Sequence, residues 1–86
     1  MPTQNREAQL LRLLEADPDL AQRGCSGERR VTGGIAIIRG GHHRGLWVWQ
    51  GTRFEYTPGG YASPTAEFDT AIEALLHTRN AICPGK

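Results

Sequence analysis

The chain is short of most things that announce a function. Its 86 residues include two cysteines, one methionine, one lysine and an aromatic content of 7%. The cysteines, Cys25 and Cys83, belong to no Cys-x-x-Cys pair, and two thiols do not make a disulfide framework. They are expected as free thiols rather than as a bridge tying the helical ends together, and with them a cytoplasmic protein. Long apolar runs are also missing. The best are IAII and LWVW, far below the ~18 residues of a membrane span, and the polar start MPTQNREAQL has no signal-peptide core. A membrane partner is not expected.

Catalytic apparatus is equally scarce. Ser26 and Ser63 stand in loop-like stretches without a nucleophile motif. The carboxylate pairs Asp17/Asp19 and Glu67/Asp69 fall at helix starts, where negative charge is stabilising in any case. His42 and His43 are adjacent in a glycine-rich connection, so on an extended segment they point to opposite sides and share no metal. RGGHHRG has the glycines of an anion nest but not the Lys-Ser/Thr of a P-loop, and it opens no helix. The chain reads as non-enzymatic, with no cofactor and no metal.

What is present is one stretch, RGLWVWQGTRFEYTPGG, which holds four of the six aromatic residues. Gly51-Thr52 has glycine at the first of two loop positions, the signature of a type II′ hairpin. A two-residue turn fixes the register of a β-hairpin at 46–57, with Gln50 facing Arg53, Trp49 facing Phe54, Val48 facing Glu55 and Trp47 facing Tyr56. All four rings then share one face as two cross-strand pairs. Leu46, Val48, Glu55 and Thr57 take the other face. LWVW is apolar at every position, so Leu46 and Val48 also call for cover, from a second layer, a dimer partner or a ligand; a self-association patch for a homodimer is one such expectation.

Around the hairpin, residues 4–16 carry Leu10, Leu13 and Leu14 at helical spacing, with Leu11 widening the stripe and Thr3 or Asn5 as cap. Asp17-Pro18 starts a second, short helix that Gly24 ends, and CSGERR follows as a loop. A strand is expected at about 35–39, with either Ile35/Ile37 or Ala36/Ile38 inward, and GGHHRG as a connecting loop. TAEF offers a short fourth strand. Asp69 or Thr70 caps a final helix, AIEALLHTRNAI, whose Ile72, Leu75, Leu76, Arg79 and Ile82 are spaced for one face. The expected fold is a single α+β domain over 1–86, an antiparallel sheet of three or four strands packed against N- and C-terminal helices, in the order α-α-β-β-β-(β)-α. Its core would comprise Leu10, Leu13, Leu14, Trp47, Trp49, Phe54, Ile72, Leu75, Leu76 and two isoleucines of the first strand.

EFDTAIEALLHTRNAI resembles the end of the AP2-type DNA-binding domain, where a three-stranded sheet runs into a Phe-Asp-Thr turn and an alanine-rich helix. The likeness covers about the last fifth of the chain and implies a sheet-on-helix fold and DNA binding. That family's arginine-and-tryptophan strand pattern has no counterpart here, so no site residue carries over.

The near-neutral net charge of +1 hides an uneven distribution. Residues 23–61 hold six arginines against two glutamates, while the flanking thirds are acidic. If the rings are core, the binding surface is the arginine-bearing rim. Arg39, His42, His43, Arg44 and Arg53 are the candidate partner-binding residues. The expected function is a small non-enzymatic module for protein–protein interaction, a regulatory adaptor or small inhibitor of the kind mobile elements encode. Nucleic-acid binding through the same arginines is the alternative, since guanidinium groups beside aromatic rings suit phosphates and stacked bases.

Overall fold

The structure, a computed structural model, describes residues 2–85 and the side chains of residues 6–85. Helices α1 (Pro2–Ala16) and α2 (Pro18–Gln22) precede the strands β1 (Cys25–Arg29), β2 (Ile35–Arg39), β3 (His42–Trp49), β4 (Phe54–Pro58) and β5 (Ala66–Phe68). Helix α3 (Ala71–His77) and a π-helical segment, Thr78–Ile82, close the chain. The strands form one antiparallel sheet in the order β1-β2-β3-β4-β5. The architecture is α+β as expected, but with five strands.

The hairpin follows its turn chemistry. Gly51 takes φ +89°, a region closed to most side chains, and the Gln50 N–H donates to the Arg53 carbonyl at 2.8 Å. Trp47↔Tyr56, Val48↔Glu55 and Trp49↔Phe54 are paired in the expected register. The cross-strand rings meet at 5.0 Å (Trp47–Tyr56) and 4.9 Å (Trp49–Phe54). In β2, Ile35 and Ile37 are the residues that join the core.

Three expectations need correction. CSGER is not a loop: it is β1, pairing along its whole length with β2. GGHHRG is not wholly a connection either, because His42 already opens β3 and only Gly40-Gly41 make the turn. The cysteines are not free: Cys25 and Cys83 form a disulfide across a separation of 58 residues. In the chain-entropy account, closing a loop of that size contributes on the order of 4 kcal/mol.

The C-terminal helix also presents a different face from the one its spacing suggested. Ile72 and Leu76 are exposed, at 51% and 44%. Ala71, Ala74 and Thr78 face the sheet instead. Small residues let this helix approach α1 closely. Thr78 joins it to the sheet: the Trp47 Nε1–H donates to the Thr78 hydroxyl at 3.0 Å, and that hydroxyl donates to the Ala74 carbonyl at 2.8 Å. Leu75 and Ile82 pack at the margin of the core, while Leu20, Tyr56, Cys25 and Cys83 belong to it.

The caps explain where helices begin. Asp17 Oδ1 accepts from the N–H groups of Asp19 and Leu20 at 2.9 and 3.2 Å. Of the two candidates for α3, Thr70 is the cap, in a reciprocal box with Glu73. Helix α1 starts earlier than its periodicity indicated, and the side chains of Thr3 and Asn5 lie outside those described. No helix among the described residues is long and apolar enough to cross a membrane.

Every helix packs on the aromatic face of the sheet. Leu10 and Leu14 of α1, Leu20 of α2 and Ala71 and Ala74 of α3 form one cluster with Ile35, Ile37, Trp47, Phe54 and Tyr56. Glu7 locks α1 onto this layer. It is 6% exposed, and its carboxylate accepts from the N–H groups of Gly34 and Trp49, both at 3.2 Å. Those two donors sit where the paired part of β2 and β3 ends, so the carboxylate supplies the acceptors that a continued ladder would have given.

Candidate functional site

The five candidate residues do not form one site. Arg39, His42, His43 and Arg44 gather at the β2–β3 turn, whereas Arg53 stands beyond the opposite end of β3. Arg44 and Gln50, the neighbour of Arg53 across the hairpin turn, are six residues apart, about 20 Å along a strand. Arg53 is also occupied: its Nη1 lies 2.7 Å from Glu67 Oε1, with both side chains about half exposed. The glutamate hydrogen bond and charge raise the Arg53 pKa above its ordinary value. A solvated pair of this kind adds little stability.

Arg44 is placed by an irregularity. Ile37 pairs with Gly45, but Ile38 pairs with His43, so Arg44 is an extra residue in β3. A bulge of this kind re-aims a side chain, and here Arg44 lines the helix side of the sheet. It borders a cleft of about 360 Å³ between the end of β4 and the π-helical segment, together with Tyr56, Pro58, Thr65, His77, Ala81 and Ile82. No carboxylate lines it.

The neighbouring residue prepares the same cleft. Gly45 faces the core opposite Ile37, and a Cβ there would collide with the Tyr56 ring and hydroxyl. Its bare Cα lets the ring of Tyr56 lie across β3. Tyr56 is 4% exposed, and burial pushes its pKa up to about 12, opposed by the nearby positive charge of Arg44. His77 is wedged against Phe68, Trp47 and Tyr56, with ring centroids at 5.2, 5.9 and 6.1 Å. Burial lowers its pKa below 6.5, which favours the neutral imidazole. His77 also lines a second, separate cleft of about 290 Å³ with Phe68, Glu73, Leu76 and Asn80.

The opposite side of the same corner is fully engaged. Arg23 Nη1 donates to the carbonyls of Arg79 and Cys83 at 2.9 and 3.0 Å, satisfying acceptors that the helix end leaves open. Arg79 in turn lies 2.6 Å from Asp19 and 3.4 Å from Asp17. With the Cys25–Cys83 bridge, these contacts hold the π-helical segment against α2 and β1.

The outer face of the sheet has no such cover. Ile38, Leu46 and Val48 are half-buried, and none belongs to the core cluster. Ala36, at their centre, is fully buried. Sequence reasoning missed Tyr56, Thr65 and His77 as companions of Arg44, because no spacing in the chain signals a bulge. Comparison with protein-family models, curated proteins and solved structures gave no match.

Proposed function

We propose that the protein is a small non-enzymatic module that works by binding another protein across the outer face of its sheet. The observation that carries this reading is the asymmetry of the two faces: three helices cover one, and Ile38, Leu46 and Val48 line the other uncovered. Adjacent apolar side chains left half in water favour association that finishes their burial. His43, which pairs with the outward Ile38, stands at one end of this surface, whereas Arg39 pairs with the buried Cys25 and His42 with Arg39, on the helix side. A second copy of the chain would bring acidic groups to His43, since Glu28 and Glu55 lie on outward strand positions. A role as regulatory adaptor or small inhibitor fits this reading.

Nucleic-acid binding has less support, because Trp47, Phe54 and Tyr56 are buried and unavailable for stacking. Cytoplasmic location likewise loses its cysteine argument, since a bridged pair is the chemistry of an oxidising compartment. The test is Val48→Lys. Sedimentation of parent and variant, with affinity capture from the native cell, should show an assembly or a specific protein that the variant loses. Identical behaviour of the two would overturn the reading. Affinity for labelled DNA or RNA that falls steeply with salt would put nucleic-acid binding in its place.

A further inference from the structure

The cleft beside Arg44 lies on the other side of the sheet from the proposed docking surface and needs a separate explanation. Its polar side chains are a guanidinium, two hydroxyls and an imidazole, from Arg44, Tyr56, Thr65 and His77. None of these groups hydrogen-bonds to another described residue. Tyr56 is the informative one. Its side chain is almost wholly buried, yet no sealed side-chain oxygen or nitrogen among the described residues lacks a partner. An unbonded Tyr56 hydroxyl therefore keeps solvent access, and Tyr56 lines this cleft. Its proton is available to an acceptor bound there.

We propose that this cleft binds a monocarboxylate, held by the Arg44 guanidinium and the Tyr56 hydroxyl, with its carbon chain against Pro58, Ala81 and Ile82. The sign of the ligand follows from the lining, which has one cation, neutral donors and no acid. Carboxylate is favoured over phosphate by charge balance, because one guanidinium matches one negative charge and its planar fork fits a carboxylate edge. The volume, about 360 Å³, is at the lower end for small-ligand sites. It suits a short-chain acid or the terminal residue of a peptide. Both present the same chemistry. The inference does not rest on the outer-face reading: Val48 is not part of the cleft, and Arg44 is not part of the apolar patch.

The probes are butyrate, butyramide, inorganic phosphate, and glycylvaline with and without C-terminal amidation, each titrated against isotope-labelled protein by NMR. Butyrate is expected to give saturable shifts at the His77 ring, the Tyr56 ring and the Arg44 side chain, and butyramide none. Arg44→Gln should weaken butyrate binding about tenfold and Tyr56→Phe several-fold, as expected for loss of a charge-assisted and a neutral donor. Arg44 is exposed, so its replacement leaves the fold intact, which an unchanged amide spectrum away from the cleft verifies. Tighter binding of free glycylvaline than of butyrate, lost on amidation, assigns the carboxylate to a chain terminus; the reverse order assigns it to a free acid. Equal response to butyramide, no saturable shift, phosphate binding tighter than either carboxylate, or an unaffected Arg44→Gln each overturns the proposal.

Discussion

Trp47 and Val48 are consecutive residues of β3, and their side chains meet different surroundings. Trp47 is fully buried, ringed by Phe54, Tyr56, Phe68 and His77, and its single polar atom is bonded to Thr78. Val48 points the other way, half-buried beside Leu46 with no helix above it. One strand thus has a face on which apolar surface is committed to folding and a face on which it is left over. In a chain of 86 residues, where core is scarce, three aliphatic side chains outside the core are a large reserve. The strand's two-residue period thus separates the surface spent on stability from the surface proposed for binding, so substitutions one position apart should have unrelated consequences.

The sharpest break of that comparison is Trp47→Ala. It removes the indole and leaves Thr78 without its donor, and large-to-small changes of this kind cost about 3–5 kcal/mol. Val48→Ala should cost less than about 1 kcal/mol, as expected away from the core. Urea unfolding followed by circular dichroism measures both. Similar losses for the two would mean that the outer face is as well packed as the inner.

The hairpin half of this contrast was legible in the chain, because a glycine at a fixed turn position and strict alternation determine register without tertiary information. The rest depended on partners far away in sequence. Strand β1 has one buried residue at Cys25 and glycine where its other inward side chain would be, so it carries no hydrophobic period; Gly27 is small because Leu11, Leu14 and Ile35 crowd it. Ile72 and Leu76 satisfied the helical period, but α3 turns Ala71, Ala74 and Thr78 inward instead, where it packs along α1 and Thr78 meets Trp47. The disulfide needed the π-helical segment to bring Cys83 beside β1. As for the candidate residues, their charge was readable, but not that one extra residue in β3 turns Arg44 to the inner side while Arg53 is claimed by Glu67 at the other end.

A second comparison uses two glutamates. Glu7 on the inner side accepts two backbone N–H groups that have no ladder partner, whereas Glu55 on the outer face is half-buried at the open surface. Glu7→Ala orphans both donors and should cost about 2–3 kcal/mol, in line with hydrogen bonds to a charged group. Glu55→Ala should stay within about 0.5 kcal/mol. Denaturation midpoints with unchanged slopes are the readout, and a neutral Glu7→Ala would show that the junction of β2 and β3 is not held by α1.

The smallest effect at neutral pH concerns Tyr56, which belongs to the inner face but whose hydroxyl opens to the cleft. Its pKa in the folded protein, pushed up to about 12 by burial, lies above the value near 10 of an unfolded tyrosine. Between those values the folded state holds the proton that the unfolded state has released. Stability is therefore full below pH ~10 and declines as pH rises toward ~12. Tyr56→Phe should abolish that part of the slope while changing neutral-pH stability little, because the lost hydroxyl bonds to no described residue. The phenolate absorbance of the parent, minus that of the variant, should rise only near pH 12. A difference signal centred near pH 10 would mean that water reaches the ring freely, and that the inner face ends before Tyr56 rather than beyond it.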